Sequence, residues 1–531
     1  MRYHKKILIG RKTKKQRSLK EDFNKEKSTT TLFSCLNKNL ELLKDILGES
    51  SDIIIKKFEF GNKQYHGALI CIDGLVDMDL INSSILKPLM YDTTYKLSID
   101  NKSHIVFESI SPDFLSAGEV KTVKMIKNLV LDLLSGNAIV LVDGSKETLS
   151  IGVRKWDKRA VDEPTNENVV RGPRQGFTET LRSNTSLLRR IIKNPNLRFD
   201  SFKVGSQTKT DIVIAYIKDI VKPELVEKIT KRIKNIDADS ILDSSYIEAY
   251  IEDNPYSIFS TIGNSERPDT VAGKMLEGRV AIIVDGSPVV LTAPMVFIEQ
   301  FQSAEDYYIR SYFATYLRFV RLIAYFLSLT APAIYVALTT FHQELIPTTL
   351  LFTMAAGVSG VPFPALVEAL IMVITFDILR EAGIRLPKAV GSAVSIVGAL
   401  VIGEAAVSAG LIGPFMVIII AITAIASFVV PKLFASSTAI RYILLILAGF
   451  MGGFGIVVGI LGSLIYILSI RSFGVPYLSP VIPLSREGMK DAFARTYLGS
   501  MTFRPQMIVG RNKKRRGKNI QADKANESAR N

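Results

Sequence analysis

The sequence predicts an α/β region of two subdomains, on the cytoplasmic side, followed by an α-helical membrane domain with several spans. Three observations carry this expectation. Leu322–Phe341 is 20 residues without a charge and Tyr442–Ile470 is 29 more; at ~1.5 Å per residue, about 20 apolar residues cross a ~30 Å hydrocarbon layer. Ahead of them, short β-rich runs ending in Asp-Gly recur at 68–74, 138–144 and 280–286. The formal charge of +15 is concentrated at the two ends: residues 1–27 hold eleven Lys/Arg against three acids, and residues 504–531 nine against two.

Neither basic tail presents a folded face with aromatic residues between the cations, so nucleic acid is not the expected partner. Solvated tails resting on anionic membrane lipid fit better. Within residues 1–27 the apolar core is only Ile7–Ile9, short of the 7 to 15 residues of a secretory signal. The region ahead of the first span is therefore expected in the cytoplasm. There the two cysteines, Cys35 and Cys71, would stay as free thiols.

Asp-Gly after a buried strand marks a turn, because glycine takes positive φ at no steric cost. The three occurrences read as similar strand ends rather than as a repeat. Helices are expected at 118–134, 176–192 and 223–234, the last opened by Pro223, whose missing N–H costs little in a first turn. Strands are expected at 198–204 and 211–217. A boundary near Ser150 divides the region into subdomain 1 (28–150) and subdomain 2 (151–294).

The stretch 156–190 is dense in charge and turn residues. Arg171-Gly172-Pro173-Arg174 either offers two guanidinium groups to a carboxylate or phosphate or forms a structural turn paired with Glu163, Glu167 or Glu179. Residues 295–321 read as one amphipathic interfacial helix. On it Phe297, Phe301, Tyr308, Tyr312, Tyr316 and Phe319 share a stripe, and the acids Glu299, Glu305 and Asp306 mark the polar side. The stripe suits either the membrane surface or packing on the α/β region.

The transmembrane domain, 322–470, is expected to hold about four to six segments, with clear spans at 322–341, 390–411, 414–431 and 442–470. Between the first two, Leu345–Leu379 is interrupted by Gly357, Gly360, Pro362 and Pro364. Each half, at 13 to 16 residues, reads as too short to span, and such breaks often mark a pathway. A re-entrant pair gives four spans and a basic cytoplasmic tail over 471–531, which the charge distribution favours. Gly455 and Gly459 form a GxxxG pair in the last span, suited to close helix packing and a homo-oligomer.

An ionisable group inside hydrocarbon is costly, which makes it a candidate for an ion or proton pathway. Glu404 sits within an uncharged span and Glu368 follows the broken segment. Asp377 reads as an interfacial partner of Arg380 and Glu381. His342 and Glu344 do not complete HExxH, so no metal is expected, and no Walker A, nucleophile elbow or CxxC pair appears. No cofactor and no enzymatic activity are expected.

Several ordered stretches carry a resemblance: ENVVRGPRQGFTE (167–179), LTAPMVFIEQFQSAEDYY (291–308), GVPF (360–363), FDILREAGIRLP (376–387), IVGALVIGEAAV (396–407) and SFGVPYLSP (472–480). Together they resemble the A-subunit family of bacterial spore germinant receptors, the GerA-type spore germination proteins, over roughly residues 28–511. The chain departs from the family pattern at Val358-Ser359, where Arg-Glu is frequent, at Glu404, where Gln is frequent, and at Gln175, where Glu is frequent. No single carboxylate is thereby marked as essential. The resemblance implies a cytoplasmic N-terminal domain, the inner membrane of a dormant spore, and two partners: a transporter-like B subunit that binds the germinant and a lipoprotein C subunit. The chain would then sense through its partners and transduce, oligomerising into an ion-conducting pathway. A secondary transporter and a non-conducting scaffold are the alternatives. The first should show inverted repeats of spans.

Overall fold

We describe the protein from a computed structural model, which describes residues 31–60, 65–91, 119–155, 163–164, 167–385, 403–510 and 512–515. The basic tail 1–27, most of the expected span 390–411, and the final basic residues 516–531 lie outside them.

The first subdomain runs α1 (Leu36–Leu47), β1 (Ile53–Phe60), β2 (Tyr65–Ile72), a helical stretch α2 over 78–91, β3 (Val120–Val123), α3 (Ile126–Leu134), β4 (Asn137–Val142) and β5 (Thr148–Gly152). The sheet order is β1-β2-β4-β5-β3, antiparallel throughout. The helix expected over 118–134 begins late: the β-branched Val120, Thr122 and Val123 pair instead with β5 as an edge strand. Helices cover both sheet faces, α1 and α3 on one and α2 through Ile81, Ile85, Leu86 and Leu89 on the other, so β4 is buried along its whole length.

The second subdomain repeats the same order. It runs α4 (Leu181–Ile191), β6 (Leu197–Val204), β7 (Thr210–Ile217), α5 (Pro223–Lys234), α6 (Ser244–Ile251), β8 (Gly263–Ser265), α7 (Pro268–Leu276), β9 (Val280–Val284) and β10 (Val290–Ala293). Its sheet, β6-β7-β9-β10-β8, places equivalent strands at equivalent positions.

The correspondence extends to single hydrogen bonds. Asp143 accepts from the first N–H of α1 at Leu36, 2.8 Å, and Asp285 from the first N–H of α4 at Leu181, 3.0 Å. Gly144 donates to Ser34 and Gly286 to Glu179, 2.7 and 2.8 Å, and both glycines have positive φ. Asn39 closes on Phe33 as Asn184 closes on Thr178. The region is an internal duplication, which corrects the reading of three similar strand ends without a repeat. Asp143-Gly144 and Asp285-Gly286 are the equivalent pair, whereas Asp73-Gly74 ends the second strand.

A buried ion pair ties the two halves. Arg189 of α4 donates through Nε and Nη2 to both oxygens of Asp52, each at 2.9 Å, and through Nη1 to the Leu197 carbonyl. Arg189 is 1% exposed and Asp52 7%, so neither charge has water to fall back on.

After β10 the chain makes two 3₁₀ turns, Phe297–Phe301 and Ala304–Tyr307, and then enters α8 (Ser311–Thr340, 30 residues). There follow α9 (Thr348–Val358), α10 (Ala365–Arg385), a helical stretch over 403–408, α11 (Pro414–Val429) and α12 (Phe434–Ser469). Among the described residues two helices, Ser311–Thr340 and Pro431–Ser469, are long and apolar enough to cross a membrane.

The longest of these is a hairpin. Gly452 has φ 57° and ψ −139° inside α12, which divides it into two arms. A Cβ on Gly455 would lie 2.2 Å from the Leu447 carbonyl oxygen, and one on Gly459 2.5 Å from Leu444 Cδ2. In a straight helix residues 444 and 459 would stand about 22 Å apart. The 29-residue span expected over 442–470 is therefore two antiparallel arms. The expected GxxxG pair works within the chain, letting the second arm lie against the first.

The broken segment also differs from expectation. The break falls at Ser359–Pro364 as the glycines and prolines suggest, but α9 has 11 residues and α10 has 21. Leu366 of α10 meets Gly449 near the hairpin tip, Asp377 meets Tyr442, and Arg380 lies over Phe434. So α10 runs the length of the first α12 arm, antiparallel to it. The tip at Gly452 packs on Phe341 and His342, just past the end of α8, and Gly453 donates to His342 Nε2 at 3.1 Å.

Candidate functional site

The α/β and helical regions meet where residues 295–310 pass between them. The single interfacial helix expected over 295–321 does not form there. Only the portion from Ser311 onward is α-helical, and the preceding residues are two 3₁₀ turns closed by their own acids. Glu299 accepts from the Val296 N–H at 3.1 Å and Asp306 from the Ser303 N–H at 3.2 Å. Such closure competes with the α-helix locally.

The expected aromatic stripe separates accordingly. Phe297 and Phe301 join Phe259, Tyr325 and Tyr477 in a buried cluster, with Phe297–Phe301 and Phe301–Tyr325 rings T-shaped at 5.3 and 5.4 Å. Tyr308 lies against Gly172 and donates to Asp269. Tyr312, Tyr316 and Phe319 stay exposed.

Glu299 and Asp306, expected on a polar outer face, are instead buried. Glu299 receives Arg279 Nη2 at 2.7 Å and Lys274 Nζ at 3.2 Å. Asp306 is fully buried and receives Arg318 Nε at 3.0 Å and Arg321 Nη1 at 2.8 Å. Arg318 and Arg321, one helical turn apart, thus bind the base of α8 to the turn before it. Glu305 is half-buried, and its carbonyl accepts from Tyr308 N–H.

Burial raises the Glu299 carboxyl, but Arg279 and Lys274 outweigh it and hold the group below the ordinary carboxylate range. Glu167 behaves alike: burial is outweighed by Lys432, 2.6 Å away at the foot of α12. Burial drives Asp491 the other way, up, against the pull of Arg318.

Glu167 and Glu299 border a cavity of about 720 Å³. One wall is subdomain 2, through Glu167, Arg267, Lys274 and Arg279; another is the turn 299–308; the helical region supplies Arg321, Val430, Pro431 and Lys432. The C-terminal segment closes it with Arg504 and Arg515. Arg515 pairs with Glu277, and Arg504 donates to the carbonyls of Leu276, 2.7 Å, and Asn512, 3.0 Å.

The Arg171–Arg174 motif borders this junction without entering it. Arg267 donates to the carbonyls of Pro173 and Glu167, at 2.7 and 3.3 Å. Arg174 pairs with Glu163 at 3.3 Å, both well exposed, and Arg171 is exposed. Glu179 serves through its carbonyl, in the duplicated turn. This is the structural-turn arrangement.

A second cluster lies at the opposite end of the helices. Glu368, 1% exposed, accepts from the Gly413 N–H that opens α11. Gly357 approaches Pro414, where a Cβ would come to 3.3 Å, and Gly410 approaches the Gly360 carbonyl. Pro362 and Pro364 are exposed, and the Pro364 carbonyl accepts the Glu368 N–H. Glu404 is not gathered in: it is exposed on the stretch 403–408.

Between the two ends, Arg441 is 1% exposed and donates to the Ser328 carbonyl at 2.8 Å, with Asp377 3.9 Å away. Asp377 accepts from Tyr442 at 2.8 Å, while Glu381 pairs with Arg385. The expected Asp377–Arg380–Glu381 grouping is corrected, because Asp377 turns inward toward α12. Arg441 was missed because it stands just before the uncharged run that defined the span.

The geometry defines a class: a duplicated α/β domain fastened by buried ion pairs to a bundle of long apolar helices, with no group in the junction arranged for bond-making chemistry among the described residues. Comparison with known proteins places it more closely. The chain belongs to the Bacillus/Clostridium GerA spore germination protein family, which matches residues 41–507. It is 47% identical over 504 residues to spore germination protein KA of Bacillus subtilis, covering 94% of this chain and 92% of that one. It is 36% identical over 468 residues to spore germination protein GerLA of Bacillus cereus, covering 88% and 94%. A crystal structure of the N-terminal domain of the A subunit of the Bacillus megaterium spore germinant receptor GerK3 matches at 39% identity and a TM-score of 0.40, covering 51% of this chain and 98% of that one. Membership in this family of spore germination proteins, with the two long apolar helices, indicates a membrane-associated chain.

Proposed function

We propose that this chain is the transducing A subunit of a nutrient-sensing receptor in the spore inner membrane, acting with a transporter-like B subunit and a lipoprotein C subunit. It would transduce by assembling with further copies of itself around an ion-conducting pathway. In this reading α8, α10, α11 and both arms of α12 cross the membrane. Counting the span that the sequence leads one to expect at 390–411, the crossings would number six. An even count agrees with the packing of residues 471–515 on subdomain 2, where Gly510 donates to the Ile220 carbonyl and Met295 to Ser472.

The observation that carries the assembly is Glu404. A carboxylate exposed on the single chain within an apolar stretch needs water or another subunit beside it rather than lipid. The test is K⁺ release from liposomes holding the chain alone and with its presumed partners and nutrient, for wild type and Glu404→Ala at equal incorporation. Flux altered by the substitution supports the pathway. Folded protein that gives no flux under any of these conditions overturns it and leaves a scaffold; substrate-coupled uptake would instead favour a transporter.

A further inference from the structure

The cavity between the α/β and helical regions is walled by seven cationic side chains, of which six are arginine or lysine pairs with carboxylates and one, Arg504, rests on carbonyls. The pairing is uneven. Glu277 is shared by Arg279 and Arg515, and Glu299 by Arg279 and Lys274, so three cations divide two carboxylates. Lys432 and Arg267 have Glu167 and Asp269 to themselves, and Arg321 shares Asp306 with Arg318. Within the wall, therefore, positive charge exceeds negative.

Two buried donors point to what balances it. Among the described residues, Nε of Arg279, Oγ1 of Thr270 and Oε2 of Glu299 are buried without a hydrogen-bond partner and all three residues line the cavity; the Glu299 oxygen has Lys274 Nζ at 3.2 Å, which leaves the two donors unanswered. Arg279 is 4% exposed. A buried donor left without an acceptor is costly, so a site that keeps two of them beside surplus charge is built for an acceptor-rich anion. Guanidinium groups dominate the wall, and their planar forks match phosphate oxygens better than lysine does. The volume, about 720 Å³, exceeds what a single inorganic ion needs and suits a phosphorylated small molecule or a headgroup.

We propose that this cavity binds a phosphate-bearing anion, held by Arg279, Arg504, Arg515 and Thr270, which bridges the α/β domain, the C-terminal segment and the foot of the helices. Two sources carry that chemistry. A soluble phosphate compound reaches the cavity from the aqueous side. An acidic phospholipid reaches it past Val429, Val430 and Pro431, where α11 ends; this second route rests on the membrane reading above, and the first does not.

The experiment uses the full chain in nanodiscs and reads its thermal unfolding midpoint. In phosphatidylcholine discs, inorganic phosphate is titrated against chloride at matched ionic strength; in parallel, phosphatidylglycerol replaces part of the neutral lipid. A rise with phosphate in neutral discs assigns a soluble anion, and a rise only with phosphatidylglycerol assigns the headgroup. In either case Arg504→Gln with Arg515→Gln should raise the half-saturating concentration about tenfold or more, the factor expected when a charge-assisted contact is lost. Thr270→Val alters no charge, so it should weaken binding while leaving the ligand-free midpoint unchanged or higher. No rise in either disc overturns the proposal, as does a rise of equal size in wild type and both variants. Ion flux does not enter this readout, so its failure is separate from failure of the conduction test.

Discussion

The fold of α12 gives the sharpest test, because a straight helix and a hairpin make opposite predictions from one pair of residues. Gly455 faces backbone: its added Cβ would stand 2.2 Å from the Leu447 carbonyl oxygen. Ordinary contact lies at 3.4–4 Å, so the arms would have to part by more than about 1 Å, and a gap of even 0.5–1 Å loses about a quarter to a half of the dispersion energy along the seam. Overpacking of this kind costs about 1–3 kcal/mol, so Gly455→Ala should lower stability by that amount. Gly462 lies in the same arm with nothing within 4 Å. There Gly→Ala should gain about 0.5–1 kcal/mol from helix propensity alone. The opposed signs are read by thermal unfolding in one detergent. The geometry is read by oxidising Leu444→Cys with Gly459→Cys in a background lacking Cys35 and Cys71. Rapid cross-linking within one chain is expected. Absence of that cross-link, with Gly455→Ala as benign as Gly462→Ala, would refute the hairpin.

Two further outcomes follow from the buried charges. Removing one partner from Arg189–Asp52 leaves the other buried and unpaired, so Asp52→Asn or Arg189→Ala should cost about 3–5 kcal/mol in chemical denaturation. Replacing both by apolar residues should recover much of it. For Glu299 the folded carboxyl sits below its unfolded value of about 4.3. Its contribution is complete above that value and is lost as pH falls through the lower folded value. Unfolding midpoints measured below about pH 4.3 should therefore fall more steeply for wild type than for Glu299→Gln, whose neutral amide has no proton to take up.

How much of this was legible in the sequence depended on whether a feature is local. Strand runs ending in Asp-Gly and the glycine–proline break at 359–364 are set by backbone preferences of a few residues, and both appear where the pattern places them. The duplication is different in kind. Its signal is Asn39 three residues into α1 and Asn184 three into α4, each followed by a distant Asp-Gly that closes on the same helix start. Two polar residues over a hundred positions apart leave no periodicity to detect. The pattern at 295–321 counted two acids as solvent-facing that find cations instead: Glu299 takes Arg279 and Lys274 from subdomain 2, and Asp306 takes Arg318 and Arg321 from the helix that follows it. A helical wheel shows which residues share a side, not what covers that side. Gly452 fails for a related reason: within an apolar run a glycine that packs and a glycine that turns look the same, and only contact between residues 444 and 459 distinguishes them.

The junction explains why those acids are buried. Four ion pairs join the parts that meet there: Arg279 of subdomain 2 to Glu299 of the turn, Asp306 of the turn to Arg318 at the foot of α8, Glu167 of subdomain 2 to Lys432 at the foot of α12, and Glu277 of subdomain 2 to Arg515 of the C-terminal segment. The Arg279–Glu299 and Arg318–Asp306 pairs are shielded from water, so each resists small displacement and breaks as a unit once geometry is lost. Further along the helices, Arg441 joins α12 to the Ser328 carbonyl of α8 and stands near Asp377 of α10. A rotation of the α/β domain that moved Asp306 against Arg318 and Arg321 would therefore bear on α8 directly and on α12 and α10 through Arg441. Under the transducer reading, substitutions at Arg318 or Arg441 should alter the coupling of nutrient to flux without touching either the cavity donors or Glu404, and that separation is what a rigid scaffold would not produce.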